Sequence, residues 1–383
     1  MLTRALEILE RLVAFDTTSS RSNRALIDWV AAHLAGCGIP AWQVPSEDGT
    51  KTNLLACLGP NVAGGVMLSG HSDVVPVTGQ AWQSDPWTLS KRNERLYGRG
   101  TADMKGFLAL ALALVETPEM ARLTRPLLLA LTYDEEVGCL GAPRLIDRIG
   151  EFVGAPALAI IGEPTSMKVV SVHKGMRVFE VVLQGLEAHS SQRDRGVSAI
   201  AAAVELMGLI GELNAEAGAR ANPDDPCDPP GTTLSIGIVE GGTAANILAA
   251  RCRFVWDLRA LDEAEADAIE TRFRQAATAL DARIKARAAT AGVIVSRTAS
   301  APPLALDQGG AAESFVRALT GDNGLAGAAF VAEAGLYQRA GIPAVLCGPG
   351  SILQAHQPDE WIALDQLEQG AAFMSRLVQR LSA

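Results

Sequence analysis

Imidazoles and carboxylates follow four short apolar runs of the chain, either directly or after one loop. A further carboxylate, Asp103, lies where Gly98-Arg99-Gly100 leads into a predicted helix. The groups that follow the apolar runs are His71 with Asp73, Glu135 with Glu136, Glu163, and His356. Because the carboxyl ends of the strands in an open α/β sheet form one rim, at which ligands bind, we expect these groups to meet.

Such a gathering of carboxylates indicates a bound cation, because like charges on one rim repel one another unless a cation joins them. Any single acid of the set could be an ordinary solvated loop residue, and Asp103 could instead cap its helix. Two imidazoles and three carboxylates, with no thiolate, suit divalent zinc, cobalt or manganese. The predicted metal ligands are His71, Asp103, Glu136, Glu163 and His356.

Two further acids are predicted to serve catalysis. Asp73 lies two residues after His71, so on extended backbone both side chains point the same way, and the carboxylate can hold the imidazole N–H. Glu135 and Glu136 are neighbours, and adjacent side chains on extended backbone diverge. One can therefore bind metal while the other faces a water molecule as general base. We predict Glu136 as the ligand and Glu135 as the base.

The elements that would position these residues alternate short apolar runs with helical patterns. Residues 66–68, 127–131 and 157–161 are continuous apolar runs, and residues 104–116 form a helix too apolar to be exposed all round. Continuous apolar strands separated by helices imply a sheet that is buried on both faces. The same pattern returns near the end of the chain, at strand 343–346.

The middle of the chain follows a different order. Its segments read as strand, helix, strand, strand, helix and strand, which is the ferredoxin-like pattern of a compact α+β unit. We therefore predict an inserted domain over residues 175–300. It interrupts a discontinuous α/β catalytic domain with a buried mixed sheet, which comprises residues 1–174 and 301–383.

Composition excludes several classes of protein. The chain has 33 basic and 43 acidic residues, and its net charge of −10 argues against nucleic-acid binding because it repels phosphate backbones. The longest apolar runs fall well short of the roughly 20 residues that a membrane helix needs. Six scattered cysteines, without a Cys-x-x-Cys pair, indicate neither a disulfide framework nor a thiolate zinc site. We expect a cytoplasmic protein that binds neither nucleic acid nor membrane.

Rival functional classes lack their motifs. A serine hydrolase needs a Gly-x-Ser-x-Gly elbow, and none occurs. A dinucleotide site is not supported either, because Gly98-Arg99-Gly100 is not followed by a third glycine. A protein that binds metal without catalysis would be expected to lack the general base, whereas Glu135 is present.

Four motifs resemble those of the M20 family of dinuclear zinc aminoacylases and deacylases. They are His71-Ser72-Asp73, the segment 97–106, Asp134-Glu135-Glu136 and Gly162-Glu163-Pro164-Thr165. Within that family, the segment 348–360 is similar to the acetylornithine deacetylase branch, and so are the segments 173–175 and 188–191. The resemblance runs through nearly the whole chain in the same order.

The resemblance implies a centre of two zinc, or cobalt, ions. Asp103 would bridge the two ions, and Glu135 would take a proton from water and pass it to the leaving amine. The other ligands would be His71 with Glu163 at one ion and Glu136 with His356 at the other. The family also often has a cis peptide after the bridging aspartate.

The resemblance assigns roles in the inserted segment too, because that segment matches the dimerisation domain of the family. His189 would be supplied across a homodimer to the carbonyl oxygen of the substrate. Lys174, Asn246 and Arg259 resemble substrate-binding positions, and an arginine can hold an α-carboxylate through two hydrogen bonds. By residue type alone, each of these three could equally be a turn residue or a surface charge. Glu333 could face a substrate cation.

The implied activity is hydrolysis of the amide bond of a small N-acyl amino acid. In the acetylornithine deacetylase branch the substrate is N-acetyl-L-ornithine, and the products are ornithine and acetate, a step of arginine biosynthesis. Succinyl-diaminopimelate, N-acetylcitrulline and other acyl-amino acids stay open as alternatives, because the motifs are shared.

Overall fold

The computed structural model describes residues 1–383, which form two compact units. Unit 1 comprises Met1–Val172, Leu306–Ala326 and Ala332–Ala383, and unit 2 comprises His173–Ala305 and Gly327–Val331. Unit 2 is slightly longer than the predicted segment 175–300 and takes in the additional piece 327–331. That piece belongs to unit 2 because the Ala328 carbonyl accepts hydrogen bonds from the Lys174 N–H and the Cys227 thiol.

Ten helices and fifteen strands make up the two units. The helices are α1 Leu2–Val13, α2 Arg24–Gly36, α3 Gly106–Val115, α4 Ala142–Ile146, α5 Ile149–Phe152, α6 Ala199–Arg220, α7 Glu263–Lys285, α8 Ala311–Thr320, α9 Ala334–Arg339 and α10 Leu364–Leu381. The strands are β1 Ala41–Pro45, β2 Thr52–Leu58, β3 Val66–His71, β4 Ser90–Arg92, β5 Arg95–Tyr97, β6 Leu127–Thr132, β7 Leu158–Ile161, β8 Val172–His173, β9 Gly175–Gln184, β10 Thr233–Gly241, β11 Arg251–Ala260, β12 Gly292–Ala301, β13 Gly327–Ala328, β14 Ala344–Leu346 and β15 Trp361–Ala363.

The main sheet of unit 1 is mixed, in the order β1-β2-β6-β3-β7-β14. Its last four strands run parallel, whereas β1 and β2 pair antiparallel with their neighbours. Strands β3, β6 and β7 are buried along their whole length, as the continuous apolar runs predict, and β2 is buried along its whole length as well. The carboxyl ends of β6, β3, β7 and β14 therefore form one rim, and the prediction of a buried mixed sheet is confirmed.

Helix α3 explains why a wholly apolar helix is stable in this unit. All ten of its residues are buried, and α1 and α10 pack against it. Helix α1 presents Ile8, Leu9 and Leu12 to this core, at the three-to-four-residue spacing of one helix face.

The sheet of unit 2 is antiparallel throughout, in the order β10-β11-β9-β12. Along the chain its elements read β9, α6, β10, β11, α7, β12, so the predicted strand and helix order is confirmed. Its core contains Trp256, whose ring stacks on Phe179 at 4.4 Å between centroids and lies 4.7 Å from Phe273.

Two local features differ from simple sequence rules. Strands β1 and β2 were not singled out by hydrophobic pattern, although they complete the sheet of unit 1. Asn23 precedes α2, but its side chain does not cap the helix. It bonds instead to the backbone of Thr52 and to the Ser72 hydroxyl, which ties α2 to the sheet.

No helix combines the length and the hydropathy that a membrane crossing requires.

Candidate metal centre

The rim of the unit 1 sheet collects the predicted ligands, each from a different element. His71 is the last residue of β3, Glu136 follows β6, Glu163 follows β7, and the loop after β14 carries His356. Asp103 comes from the irregular turn Thr101–Lys105 that precedes α3. The parallel order of the strands thus brings residues that are far apart in sequence to one edge.

Short contacts join four of these side chains around Asp103. One Asp103 oxygen lies 3.0 Å from His71 Nε2, and the other lies 3.3 Å from His356 Nε2. His356 Nε2 also lies 2.9 Å from a Glu136 oxygen. One possible ligand atom from each of His71, Asp103 and Glu136 lies within 4.8 Å of the other two. Asp103 therefore occupies the central position expected of a bridging carboxylate.

The Asp103 segment does not form a regular helix start. Asp103 and Met104 have non-helical dihedral angles, and Lys105 holds the position before α3, so Asp103 does not cap that helix. The Asp103–Met104 peptide bond is cis, as the family resemblance implies.

Glu163 is the fifth predicted ligand, and one oxygen of its carboxylate has no hydrogen-bond partner in the chain. It is 3% exposed, and its Oε1 is buried without any hydrogen bond. Burial raises its pKa well above the usual value, and the charges of Asp103 and Glu135 raise it further. Because an unpaired buried carboxylate is costly, this oxygen needs a cation or a proton.

Glu135 and Glu136 diverge, as predicted for neighbours. Glu136 turns towards His356, whereas a Glu135 oxygen accepts a hydrogen bond from the Cys139 thiol at 3.4 Å. Burial raises the pKa of Glu135 well above its usual value, and burial with the charge of Asp103 raises that of Glu136 to about 7.

Asp73 holds the site together in a different way from the predicted one. His71 Nδ1 lies 2.8 Å from the backbone oxygen of Asp73 and 3.7 Å from its carboxylate, so the predicted carboxylate–imidazole hydrogen bond is wrong. The carboxylate instead accepts the N–H groups of Glu135 and Glu136, at 3.2 and 3.3 Å, and the Ser19 hydroxyl at 2.7 Å. It does so because the turn after β6 leaves these buried N–H groups without strand partners.

This arrangement still selects the useful form of His71. Its Nδ1–H donates to the Asp73 carbonyl, which leaves Nε2 facing Asp103 as a ligand atom. Burial opposes the ionisation of Asp103, but hydrogen bonds with His356 and His71 outweigh it, so the pKa of Asp103 is lowered. The same contacts with Asp103 and Glu136 raise the pKa of His356 to about 10.

The donor set fits divalent metal ions. It offers imidazole nitrogens and carboxylate oxygens within a few ångströms, an unpartnered buried oxygen on Glu163, and three carboxyl groups whose pKa values are raised. Each of these features is what a site shows when its charge balance requires a cation. Borderline metals such as zinc and cobalt accept both nitrogen and oxygen ligands.

Several contributors to the site were missed by sequence reasoning. Cys139 donates to Glu135, and Ser19 donates to Asp73. The Glu360 carboxylate accepts hydrogen bonds from backbone N–H groups of the turn that carries Asp103. Of these residues, only Glu360, four residues after His356 in the same motif, had a signal that could have found it. Glu333, which was suggested to face a substrate cation, is buried beside Ser69, and burial raises its pKa to about 7. Its contact with a substrate stays a prediction.

The remaining predicted residues belong to unit 2. His189 is exposed, and its Nδ1 lies 2.8 Å from the Ser191 hydroxyl, which leaves Nε2 for an external group. Lys174 is buried, its Nζ donates to the Pro229 carbonyl at 2.7 Å, and burial lowers its pKa. The last two are Asn246, which is exposed, and Arg259, which is paired with Asp257 at 2.9 Å. Their substrate-binding roles stay predictions.

The sequence profile of Peptidase family M20/M25/M40 matches residues 67–380. An acetylornithine deacetylase of Myxococcus xanthus is 34% identical over 382 residues, which cover 97% of this chain and 95% of that protein.

The chain belongs to Peptidase family M20/M25/M40. A Pasteurella multocida acetylornithine deacetylase is 32% identical, with 97% of both chains covered. Aminopeptidase PepT from Bacillus cereus superposes on 100% of this chain and 99% of its own with a TM-score of 0.75 at 17% identity. The predicted M20 resemblance is therefore confirmed, and this M20 chain is a metallo-hydrolase that acts on amide bonds.

Proposed function

We propose that this M20 chain removes the acetyl group from N-acetyl-L-ornithine, giving ornithine and acetate, as a step of arginine biosynthesis. The observation that carries the proposal is the cluster of His71, Asp103 and Glu136 in a chain that is similar over nearly its full length to acetylornithine deacetylases. A second acyl-amino acid, such as succinyl-diaminopimelate or N-acetylcitrulline, is the alternative substrate.

We propose two zinc or cobalt ions as the cofactor. The ligands would be Asp103 between the ions, His71 with Glu163 on one side, and Glu136 with His356 on the other. When bound, such ions supply Lewis acidity, which lowers the pKa of a water molecule and polarises the amide carbonyl. The raised pKa of Glu163 and its unpartnered oxygen support this charge requirement.

Glu135 is the proposed general base. It would take a proton from the attacking water and deliver it to the amine as the C–N bond breaks. Burial raises its pKa well above the usual value, which makes the carboxylate a stronger proton acceptor. Asp73 accepts the backbone N–H of both Glu135 and Glu136, and so orients the base and the neighbouring ligand together.

Arg259, Asn246 and Lys174 are the proposed substrate contacts. Arg259 suits the α-carboxylate, because a guanidinium can hold a carboxylate through two parallel N–H donors. Its Nε is engaged by the carboxylate of Asp257, at 2.9 and 3.0 Å, which orients the side chain. Lys174 would have to exchange its bond to the Pro229 carbonyl for one to the substrate.

A substrate panel tests the proposal. Protein loaded with Zn²⁺ or Co²⁺ should give the highest kcat/KM with N-acetyl-L-ornithine, and a lower one with N-acetylcitrulline and with N-succinyl-diaminopimelate. N-acetylcitrulline is the sharpest comparison, because it shares the acetyl group and the three methylene groups of the side chain but ends in an uncharged ureido group. A higher kcat/KM for either competitor would replace acetylornithine as the substrate. Asp103→Ala is the control, and it should lose metal and nearly all turnover.

We also propose a homodimer formed through unit 2. Strand β10 is an edge strand of the sheet, and its Ile238 and Val239 are 44% and 56% exposed. Ile200 and Val204 on α6 are exposed as well, and Ile200 lies close to Gly242, just after that strand. An exposed, apolar edge strand is a template for pairing with another chain. Val239→Lys should shift the mass measured by light scattering from dimer to monomer.

His189 would act across that dimer, donating a hydrogen bond from Nε2 to the oxygen that becomes negative as the amide is attacked. Loss of one such donor typically costs about 10²–10³ in kcat. His189→Ala should therefore lower kcat and leave the metal content intact. Mixing it with Glu135→Gln protein gives hybrid dimers in which one site carries neither defect. Recovered activity supports the exchange, whereas verified hybrids without recovery would assign His189 to its own chain or to no catalytic role.

A further inference from the structure

The Glu360 carboxylate is buried and fully hydrogen-bonded, although no reaction step uses it. The residue is 1% exposed. One oxygen accepts the N–H groups of Ala102 and Asp103 at 2.9 and 3.1 Å. The other accepts the Gly100 N–H at 3.0 Å and Arg99 Nη1 at 2.7 Å. Four donors of one turn, 99–103, therefore surround a single carboxylate supplied from the far end of the chain.

Strand pairing brings Glu360 to this position. Strand β15 pairs antiparallel with β5, with Trp361 opposite Tyr97, and the Gly98 N–H donates to the Glu360 carbonyl at 3.0 Å. The turn then needs Gly100, whose φ of +81° lies in the left-handed region. A Cβ on Gly100 would also come within 2.8 Å of a Val74 methyl group. The backbone N–H groups thus converge on the carboxylate because of the turn's own conformation.

The same network reaches His356. This residue has a φ of +61°, a left-handed conformation that a non-glycine residue keeps only when its surroundings hold it. Gln80 Nε2 donates to the His356 carbonyl at 2.8 Å, and Gln80 Oε1 accepts from Arg99. Arg99 in turn is paired with Glu360. A continuous chain of hydrogen bonds therefore runs from the Asp103 backbone through Glu360, Arg99 and Gln80 to the backbone of His356.

We propose that Glu360, acting with Arg99 and Gln80, is a positioning residue that holds Asp103 and His356 in register as metal ligands. It touches neither substrate nor metal. The Asp103 turn and the His356 loop lie more than 250 residues apart in the sequence. Glu360 follows the His356 loop, and its carboxylate accepts the N–H of Asp103, 257 residues earlier in the chain. The inference rests on the metal centre proposed above.

The test measures metal affinity separately from stability. Glu360→Gln keeps the shape of the side chain but turns one acceptor oxygen into an NH₂ group, which faces N–H donors. Zn²⁺ affinity of the chelator-treated variant, measured by competition with a zinc-binding dye, should fall about 10–100-fold, the usual cost of losing a residue that orients metal ligands. Thermal unfolding without metal is measured in parallel.

Glu313→Gln is the matched control. Glu313 is also buried in unit 1, is paired with Arg317 at 2.7 Å, and accepts the Gly309 N–H at 2.7 Å and the Ser171 hydroxyl at 3.3 Å. Its replacement should lower stability without changing Zn²⁺ affinity. A purely structural role for Glu360 would make the two variants behave alike.

Each outcome decides the proposal. A folded Glu360→Gln protein that binds Zn²⁺ within threefold of the wild type overturns it. If this variant does not fold, Gln80→Leu breaks the His356 end of the same network at a half-buried position, and unchanged Zn²⁺ affinity there overturns the proposal equally. A wild-type chain that binds no metal would instead reject the metal centre itself, so the two failures are distinguishable.

Discussion

The pKa values of two acidic side chains, one in each unit, shift in opposite directions. In unit 2, Glu270 is surrounded by Arg177, Arg274 and Arg297 at 2.8–3.1 Å. Burial opposes its ionisation, but the arginines, Arg274 foremost, outweigh burial and lower its pKa. In unit 1, burial raises the pKa of Glu163, and the neighbouring carboxylates of Asp103 and Glu135 raise it further. Burial opposes the ionisation of both glutamates, so the opposite directions of the two pKa shifts follow from their partners.

The contrast is between an acidic residue whose charge is neutralised by arginines of the chain and a cluster of acidic residues whose charge is not neutralised within the chain. Arginines supply the counter-charge of the Glu270 cluster within the chain, so that cluster needs nothing from solution. At the rim of the unit 1 sheet, three carboxyl groups with raised pKa values lie near Asp103, whose own partners are imidazoles. A deficit of cations inside a buried acidic cluster therefore identifies a metal site better than the number of acids does.

The largest expected effect is on turnover. Glu135→Gln should lower kcat by about 10²–10⁴, because a positioned general base contributes that much. Metal content, measured by elemental analysis, should not change. Glu270→Gln is the matched control in unit 2, and its kcat should stay at the wild-type value. Normal turnover of Glu135→Gln protein that holds its metal would remove Glu135 as the base.

Unit 2 has its own buried titrating group, His173, and its effect should depend on pH rather than on metal. Burial lowers the pKa of His173 to about 4. Since an unfolded histidine has a pKa near 6.5, the unfolded chain binds more protons between pH 6.5 and 4, and stability falls as the pH falls through that window. The loss should reach roughly 3 kcal/mol by pH 4.

Urea unfolding of the wild type and of His173→Gln at pH 8, 6 and 4.5 measures this effect. The variant cannot take up the proton, so its stability should fall less between pH 6 and 4.5 than that of the wild type. Parallel losses in both proteins would mean that other groups cause the acid sensitivity.

Metal should stabilise unit 1 and not unit 2. At a free Zn²⁺ concentration about 100 times the Kd, binding to the native state adds about 2.7 kcal/mol to the free energy of unfolding. Chelation should remove this gain, and Asp103→Ala protein should not show it. If the two units unfold in separate transitions, only the transition of unit 1 should move. Equal stability with and without Zn²⁺ would contradict the idea that the open charge of this rim requires a cation.

The smallest effects should have opposite signs in the two units. Without metal, Glu270→Gln should destabilise the chain by about 1–2 kcal/mol, because hydrogen bonds to charged partners are lost. Glu163→Gln should stabilise the metal-free chain by about 1 kcal/mol, because a neutral amide replaces a buried carboxyl among like charges. Saturating Zn²⁺ should reverse the sign for Glu163→Gln and leave that for Glu270→Gln unchanged. The same sign for both variants without metal would remove the distinction between the two units.

Much of the fold and the ligand set could be predicted from sequence. Continuous apolar runs indicate strands that are buried on both faces, and polar residues at their carboxyl ends must then share one rim. This reasoning placed His71, Asp103 and Glu136 in one site, and their donor atoms do converge. Strand β1 escaped it, because only one of its five residues, Val44, is buried. Strand β2 escaped it although residues 54–58 form a continuous apolar run.

Hydrogen-bond partners were beyond the reach of local pattern. Spacing put the Asp73 side chain near His71, but its carboxylate was taken by the N–H groups of Glu135 and Glu136, 62 and 63 residues later. Asn23 had the residue type of a helix cap and bonds to Thr52 instead. In each case the side chain pairs with a buried backbone group elsewhere in the fold that would otherwise have no hydrogen-bond partner.

The sequence by itself therefore determined which chemical groups reach the rim, since residue type and strand order are encoded locally along the chain. Only the tertiary structure decided how those groups are held and balanced. Glu360 meets the Asp103 turn across 257 residues, and one carboxylate oxygen of Glu163 is left without a hydrogen-bond partner. The physical reason is that a buried polar group takes whichever donor or acceptor the folded backbone leaves unsatisfied beside it, and that depends on long-range packing rather than on spacing in the sequence.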